Sequence, residues 1–126
     1  MALGRVADTS WLYALFDADD AFHDEARALV MSPVVTLVPS AIMNETLDLI
    51  GYRGGKANAT KAEAALRALP HFDLWYPVDE GQALSIWAGH QRLSLHDAHV
   101  VALSKQAGFP PASFDQAILE AAAPKP

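Results

Sequence analysis

An α/β fold with a central parallel sheet of four or five strands is the architecture this sequence predicts. Three observations carry the prediction. Short apolar, β-branched runs alternate with helix-patterned segments along the chain. The clearest run, Val34-Val35-Thr36-Leu37-Val38, is nearly continuous in apolar character, as suits a strand covered on both faces. Acidic residues stand where strands end and helices begin, the edge at which parallel α/β sheets gather function.

Taken in order, Leu3 to Ala7 reads as a buried strand ending at Asp8, with Asp8, Thr9 or Ser10 able to cap the next helix. Trp11, Leu12, Leu15 and Phe16 recur at helical spacing. Asp17 to Asp20 breaks that pattern, and a second helix is expected over 21–31 with Phe22, Ala26, Leu29 and Val30 inward. After Ser32-Pro33 comes the strand at 34–38. Pro39 then opens a helix, where its missing N–H costs little. That helix carries Ile42, Met43, Thr46, Leu47 and Ile50 and is expected to stop near Gly51. Arg53-Gly54-Gly55-Lys56 reads as a mobile basic turn, and residues 57–69 as an alanine-rich helix ended by Pro70. Phe72 to Val78 is the third strand. Glu80 to His90 is helical, with Leu84, Ile86 and Trp87 inward. Ser94 caps a helix over 95–106 that Gly108 closes. Residues 109–114 form a short strand in which Pro110-Pro111 favours an edge position or a late start. A last helix starts near Asp115, and residues from about 120 to 126 read as a flexible tail.

The chain of 126 residues fits one domain, 1–126, and its apolar half supplies a core. It has no cysteine, which excludes disulfides, thiolate zinc sites and cysteine nucleophiles. No signal-peptide pattern opens the chain, and no apolar run reaches the roughly 18 residues of a membrane span, so a cytoplasmic location is expected. The net charge of −6 argues against broad, non-specific nucleic-acid affinity. It leaves room for an acidic, metal-dependent site with a local basic patch.

Four acids carry the chemistry: Asp8, Glu45, Asp97 and Asp115. Each has a plain alternative. Asp8 and Asp115 can cap helices. Asp97 completes Ser94-Leu95-His96-Asp97, a capping box with Asp in the Glu position. Glu45 can lie on a solvated face. Gathered at one sheet edge, the four would offer hard oxygen ligands suited to Mg²⁺ or Mn²⁺. Packed together without metal they would repel one another, and at least one should titrate high.

Their contexts resemble the PIN-domain family. Val-Ala-Asp-Thr-Ser-Trp-Leu is similar to its opening strand, and Val-Pro-Ser-Ala-Ile-Met-Asn-Glu-Thr-Leu to its second strand and helix. Leu-Ser-Leu-His-Asp-Ala-His-Val-Val-Ala-Leu-Ser is similar to its Asp-Ala helix, and Ala-Ser-Phe-Asp to its closing strand. Order and spacing match the VapC-like toxin ribonucleases over residues 3–118. The resemblance implies a three-layer α/β/α fold and an endoribonuclease dependent on Mg²⁺ or Mn²⁺, the toxin of a type II toxin–antitoxin pair. It implies Asp8, Glu45, Asp97 and Asp115 as catalytic metal ligands, with Thr9, Ser10 and Ser113 as polar supports. Asp8 and Asp97 would bind metal directly. Glu45 would be a ligand or a base for the attacking water, and Asp115 would serve a second metal or act through water. It implies an RNA substrate, a cognate antitoxin and a homodimer, for which Trp11, Leu12, Leu15, Phe16 and Phe22 are the candidate face; the plainer reading is that they are core. The closing motif departs mildly, with Ser113 where the family often has Thr. Little chain follows Asp115, so a fifth strand is in question.

Arg53 and Lys56, in the densest basic stretch with Lys61 and Arg67, are the candidate phosphate contacts; a solvated helix face is the plainer reading. His96 and His99 are spaced for a zinc pair on one helix, but imidazoles beside the acidic site fit them better. Two His-Asp pairs loosely resemble the HD-type metal phosphohydrolases. That fold is all-helical, and the strands at 34–38 and 72–78 argue against it. Non-catalytic alternatives are a receiver-like domain, which lacks its late lysine here, and a PIN-like binding module.

Overall fold

The computed structural model describes residues 3–124. The chain runs β1 (Gly4–Ala7), α1 (Thr9–Phe16), α2 (His23–Val30), β2 (Val35–Pro39), α3 (Ser40–Gly54), α4 (Lys56–Ala68), β3 (Phe72–Tyr76), α5 (Glu80–Gly89), α6 (Leu95–Ala107), β4 (Pro111–Ala112) and α7 (Gln116–Ala122). The four strands form one sheet in the order β3-β2-β1-β4, and every pairing is parallel. The expected α/β architecture is therefore present with four strands. Among the described residues no fifth strand follows Asp115, because α7 occupies that stretch. It carries the chain as helix to Ala122, past the expected start of the tail; Lys125 and Pro126 lie outside the described residues.

The strand order positions the site. From β1 the chain crosses to β2 and β3 on one side and later returns to pair β4 on the other, so the topology reverses beside β1. Ligands of parallel α/β sheets gather at such a reversal, outside the carboxyl ends of the strands. The register sets Val6 opposite Pro111 and Ala7 opposite Ala112, and the Asp8 N–H donates to the Ala112 carbonyl at 3.1 Å. Asp8 and Ser113 are thereby held side by side. Proline in the short edge strand β4 is tolerated because the strand has a partner on one side only.

The core lies between the sheet and its helices. Val6, Trp11, Leu12, Val38, Ile42, Met43, Leu66, Val100 and Val101 are fully buried. Trp11 stacks on Phe72 with ring centroids 5.9 Å apart, and its indole N–H donates to the Ala26 carbonyl at 3.2 Å. Arg5 is buried without a carboxylate partner among the described residues. Its guanidinium lies 4.7 Å from the Trp11 ring centroid and donates to Thr36 Oγ1 (2.8 Å) and the Leu29 carbonyl (2.6 Å). Leu29 belongs to the last turn of α2, where a cation complements the helix dipole. Burial lowers the Arg5 pKa from its ordinary value. This one side chain ties α1, α2 and β2 to β1 directly beneath the strand end that bears Asp8.

Several local expectations are corrected. α3 does not stop near Gly51. The Gly51 carbonyl still accepts a helical bond from Gly55, and the positive φ of 91° that ends the helix comes at Gly55. Arg53 is thus in the last turn of α3 and Lys56 opens α4, so the supposed mobile turn contracts to one glycine. α2 begins at His23 because Asp17 and Asp20 take the preceding residues into turns through Asp19 N–H (3.0 Å) and Phe22 N–H (2.9 Å). Phe22 and Leu29 are exposed rather than inward. So are Leu84 and Trp87, which flank the narrow inward face of α5, where Ala83 is buried and Ile86 packs against the core as expected. Trp11 and Leu12 belong to the core and leave no surface for a dimer partner; of the expected dimer face only Phe16 and Phe22 are exposed.

Truncating Trp11 removes a filled core volume, a stack and a buried hydrogen bond. Trp11→Ala should destabilise the fold by about 3–5 kcal/mol. Chemical denaturation would show it, and a loss under 1 kcal/mol would contradict this packing account.

Candidate active site

Asp8 stands where β1 gives way to α1. Its extended backbone (φ −113°, ψ 160°) makes it the N-cap, and its Oδ2 accepts from the Ser10 N–H at 3.3 Å and the Ser10 hydroxyl at 2.8 Å. The same oxygen accepts from the Ser113 hydroxyl at 2.8 Å. The carboxylate is 3% exposed, so little water reaches it. Burial raises its pKa, hydrogen bonds from Ser10 and Ser113 oppose the rise, and the charge of Asp97 adds to it.

Glu45 reaches the site from α3. Thr9, the first residue of α1, donates its hydroxyl to Glu45 Oε1. His96 Nδ1 lies 3.1 Å from Glu45 Oε2. Both carboxylate oxygens are thus tied to neighbouring elements, one to α1 and one to the start of α6. His96 is the imidazole beside the acidic site that the sequence suggests. His99 is not: its ring contacts the Leu95 carbonyl (2.7 Å) and Glu80 Oε2 (2.5 Å), away from the four acids.

Asp97 is the third residue of α6, and the capping box with Ser94 is fully formed. The Ser94 hydroxyl accepts from the Asp97 N–H at 3.1 Å, and Asp97 Oδ2 accepts from the Ser94 N–H at 2.9 Å. Partial burial raises the Asp97 pKa; the Ser94 hydrogen bonds oppose the rise, and the charges of Asp115 and Glu45 add to it. Asp115 caps α7 through Oδ1, which accepts from the Ala117 N–H at 2.9 Å. Its own N–H donates to the Ser113 hydroxyl at 2.9 Å. The Ser10 hydroxyl accepts from the Phe114 N–H at 3.0 Å, completing a mesh between the two strand ends.

All seven acids and hydroxyls named from sequence therefore fall at one end of the sheet, linked through hydrogen bonds or charge. Two carboxyls titrate high, as expected, although burial outweighs mutual repulsion as the cause. The capping roles prove compatible with a shared site. In Asp8, Asp97 and Asp115 one oxygen serves the cap, and the other makes no hydrogen bond among the described residues. As they stand, no three Asp, Glu or His side chains among the described residues converge closely enough to hold a metal ion. The donor set nevertheless fits a hard divalent cation in kind. It is all carboxylate oxygen and partly withdrawn from water, and burial, with a smaller contribution from neighbouring negative charge, raises the pKa of Asp8 and Asp97.

Arg53 and Lys56 part company. Arg53 lies 4.9 Å from the Tyr13 ring centroid and lines a cleft with Asp17, Asn58 and Lys61. Lys56 lines a different cleft with Asn44, Asp48 and Tyr52. Sequence reading passed over Asn44, Asp48 and Tyr52. The helical spacing from Glu45 already covered Asn44 and Asp48, whereas Tyr52 joins their face only because α3 continues past Gly51.

The family model described as PIN domain matches residues 5–124. Among curated proteins there is no match. Among solved structures, the chain is similar to the crystal structure of VapC20 of Mycobacterium tuberculosis, described as a sarcin-ricin loop cleaving toxin. Identity is 27%, the match covers 92% of this chain and 93% of that one, and the TM-score is 0.77.

A pH dependence follows from the two raised carboxyls. Ionising Asp8 or Asp97 costs more in the folded chain than in the unfolded one. Their favourable contribution is complete below the ordinary carboxylate pKa of about 4 and is lost as pH rises through the raised folded values. Thermal melts in EDTA should show stability falling across that window, with a shallower fall in Asp8→Asn. Identical pH slopes for the two proteins would count against the buried, uncompensated carboxylate.

Proposed function

This chain belongs to the PIN-domain family, and we propose that it is a VapC-like toxin that hydrolyses RNA phosphodiester bonds with the help of Mg²⁺ or Mn²⁺. The observation that carries the reading is the buried Asp8 carboxylate, braced by Ser10 and Ser113 and sharing its surroundings with Asp97. The family match and the likeness to a sarcin-ricin loop cleaving toxin support the ribonuclease chemistry. Residues 1–126 would act as one catalytic domain. RNA and a cognate antitoxin are the proposed partners, in the cytoplasm and with a homodimer as the working form. Among the described residues no helix is long and apolar enough to cross a membrane.

Asp8 and Asp97 would hold the cation directly, with Glu45 and Asp115 completing the acidic ring. A bound divalent ion supplies Lewis-acid activation of water and neutralises charge at the phosphate. The protein's own contribution is positional. Ser10 and Ser113 fix one oxygen of Asp8, and the other would be the one offered to the cation. Thr9 and His96 hold Glu45 by both oxygens, and a carboxylate so oriented would serve as a ligand or as the base for the attacking water. Ser113 also donates to Asp8 while accepting from the Asp115 N–H, so one hydroxyl orients two of the acids.

Purified protein should cleave single-stranded RNA in Mg²⁺ or Mn²⁺ and stop in EDTA. Asp8→Asn and Asp97→Asn should fall to background, and Ser113→Ala should lose about 10–100-fold, the usual cost of removing a residue that orients a ligand. Gel analysis of a labelled RNA checks all three, and equal cleavage by wild type and both Asp→Asn variants would sink the site.

A further inference from the structure

Beside the acids, a cleft of about 480 Å³ is lined by Asn44, Glu45, Asp48, Leu49, Tyr52 and His96. Five of these six residues lie along α3 at helical spacing from Glu45. Tyr52 is two turns further on, roughly 10 Å at 1.5 Å per residue. Its side chain is 90% exposed. A single exposed aromatic needs no explanation by itself, but this one shares a cleft with a proposed catalytic carboxylate. Lys56, at the start of α4, continues the same face in the adjoining cleft with Asn44, Asp48 and Tyr52.

Resting on the ribonuclease reading above, we propose that this face of α3 is a subsite for one unpaired base flanking the cleaved bond, with a preference for guanine. Single-stranded RNA is recognised by splayed bases that stack on aromatic rings and hydrogen-bond along their edges. Tyr52 offers the ring. Asp48 lies one turn before it on the same helix face and can only accept hydrogen bonds when ionised. Guanine presents two adjacent donors, N1–H and the N2 amino group, which match a carboxylate through two parallel bonds. Uracil presents one donor between two acceptors, which a carboxylate repels. Adenine and cytosine each pair one amino donor with an adjacent acceptor. The Asn44 amide, both donor and acceptor, suits a remaining polar atom of the base or ribose. Asp48 also explains why this face would hold a base edge rather than a phosphate, while Lys56 at the far end supplies a cation for the backbone.

The probes are fluorescent ten-nucleotide oligouridylates carrying one central guanine, adenine or cytosine. Affinity is read by anisotropy in Ca²⁺, and KM and kcat are read from cleavage in Mg²⁺. Wild type should bind the guanine oligomer most tightly. Tyr52→Ala should weaken binding about tenfold, as loss of a base–aromatic stack does. It should raise KM in step and leave kcat and the melting temperature near wild type, while Tyr52→Phe restores binding. Asp48→Asn should erase the guanine preference. Metal-dependent cleavage with Tyr52→Ala indistinguishable from wild type, or a guanine preference untouched by Asp48→Asn, overturns the subsite and leaves the ribonuclease reading standing. A wild-type protein that neither cleaves nor binds any oligomer overturns the ribonuclease reading itself, and the subsite with it.

Discussion

The arrangement depends on one buried carboxylate held in place by two serines, one beside it in the chain and one from the neighbouring strand end. Burying a charged group is costly unless hydrogen bonds compensate, and Asp8 obtains them from Ser10 beside it and from Ser113 across the sheet. The second contact requires β4 to pair with β1 in a single register, since a slip of one residue would turn Ser113 away from Asp8. The site and the sheet edge therefore specify each other. Arg5 and Trp11 support the same strand end from below, joining α2 and β2 to it through buried hydrogen bonds and a cation–π contact.

Helix capping and metal chemistry ask for the same residue in the same place. A parallel strand that turns into a helix needs an N-cap acceptor at its carboxyl end, and that end is also where the topology reverses. Asp8 and Asp115 cap the helices after β1 and β4, and Asp97 closes the capping box of α6. Each spends one oxygen on the backbone and is thereby oriented. Glu45 lies within its helix instead, and the Thr9 hydroxyl and His96 perform the orienting that a cap performs for the others.

Much of this was legible in the chain. The run at 34–38 and the apolar stretch before Asp8 announced a parallel sheet, and the twin prolines at 110–111 announced a short edge strand. Asp8, Asp97 and Asp115 at helix starts could each be mere caps, and it was the order of four motifs that named them together with Glu45. What escaped depended on tertiary context. Gly51 looked like a stop, but a glycine ends a helix only where the backbone turns left-handed, and that happens at Gly55. The apolar spacing of α5 suggested that Leu84, Ile86 and Trp87 all faced inward; Ile86 does, beside the buried Ala83, while Leu84 and Trp87 flank that narrower face and remain exposed. The contact of Glu45 with Thr9 joins residues on different helices, and no periodicity reports such a pairing.

Manganese binding followed by nuclear magnetic resonance tests the central claim most directly, because a paramagnetic ion broadens the signals of whatever surrounds it. The account predicts that substoichiometric Mn²⁺ broadens the backbone signals of Asp8, Glu45, Asp97 and Asp115 and their hydroxyl neighbours first, at a single location, and that excess Mg²⁺ reverses it. Broadening centred elsewhere, for example on Glu80 and His99 or along the Asp17–Asp20 turn, would contradict it.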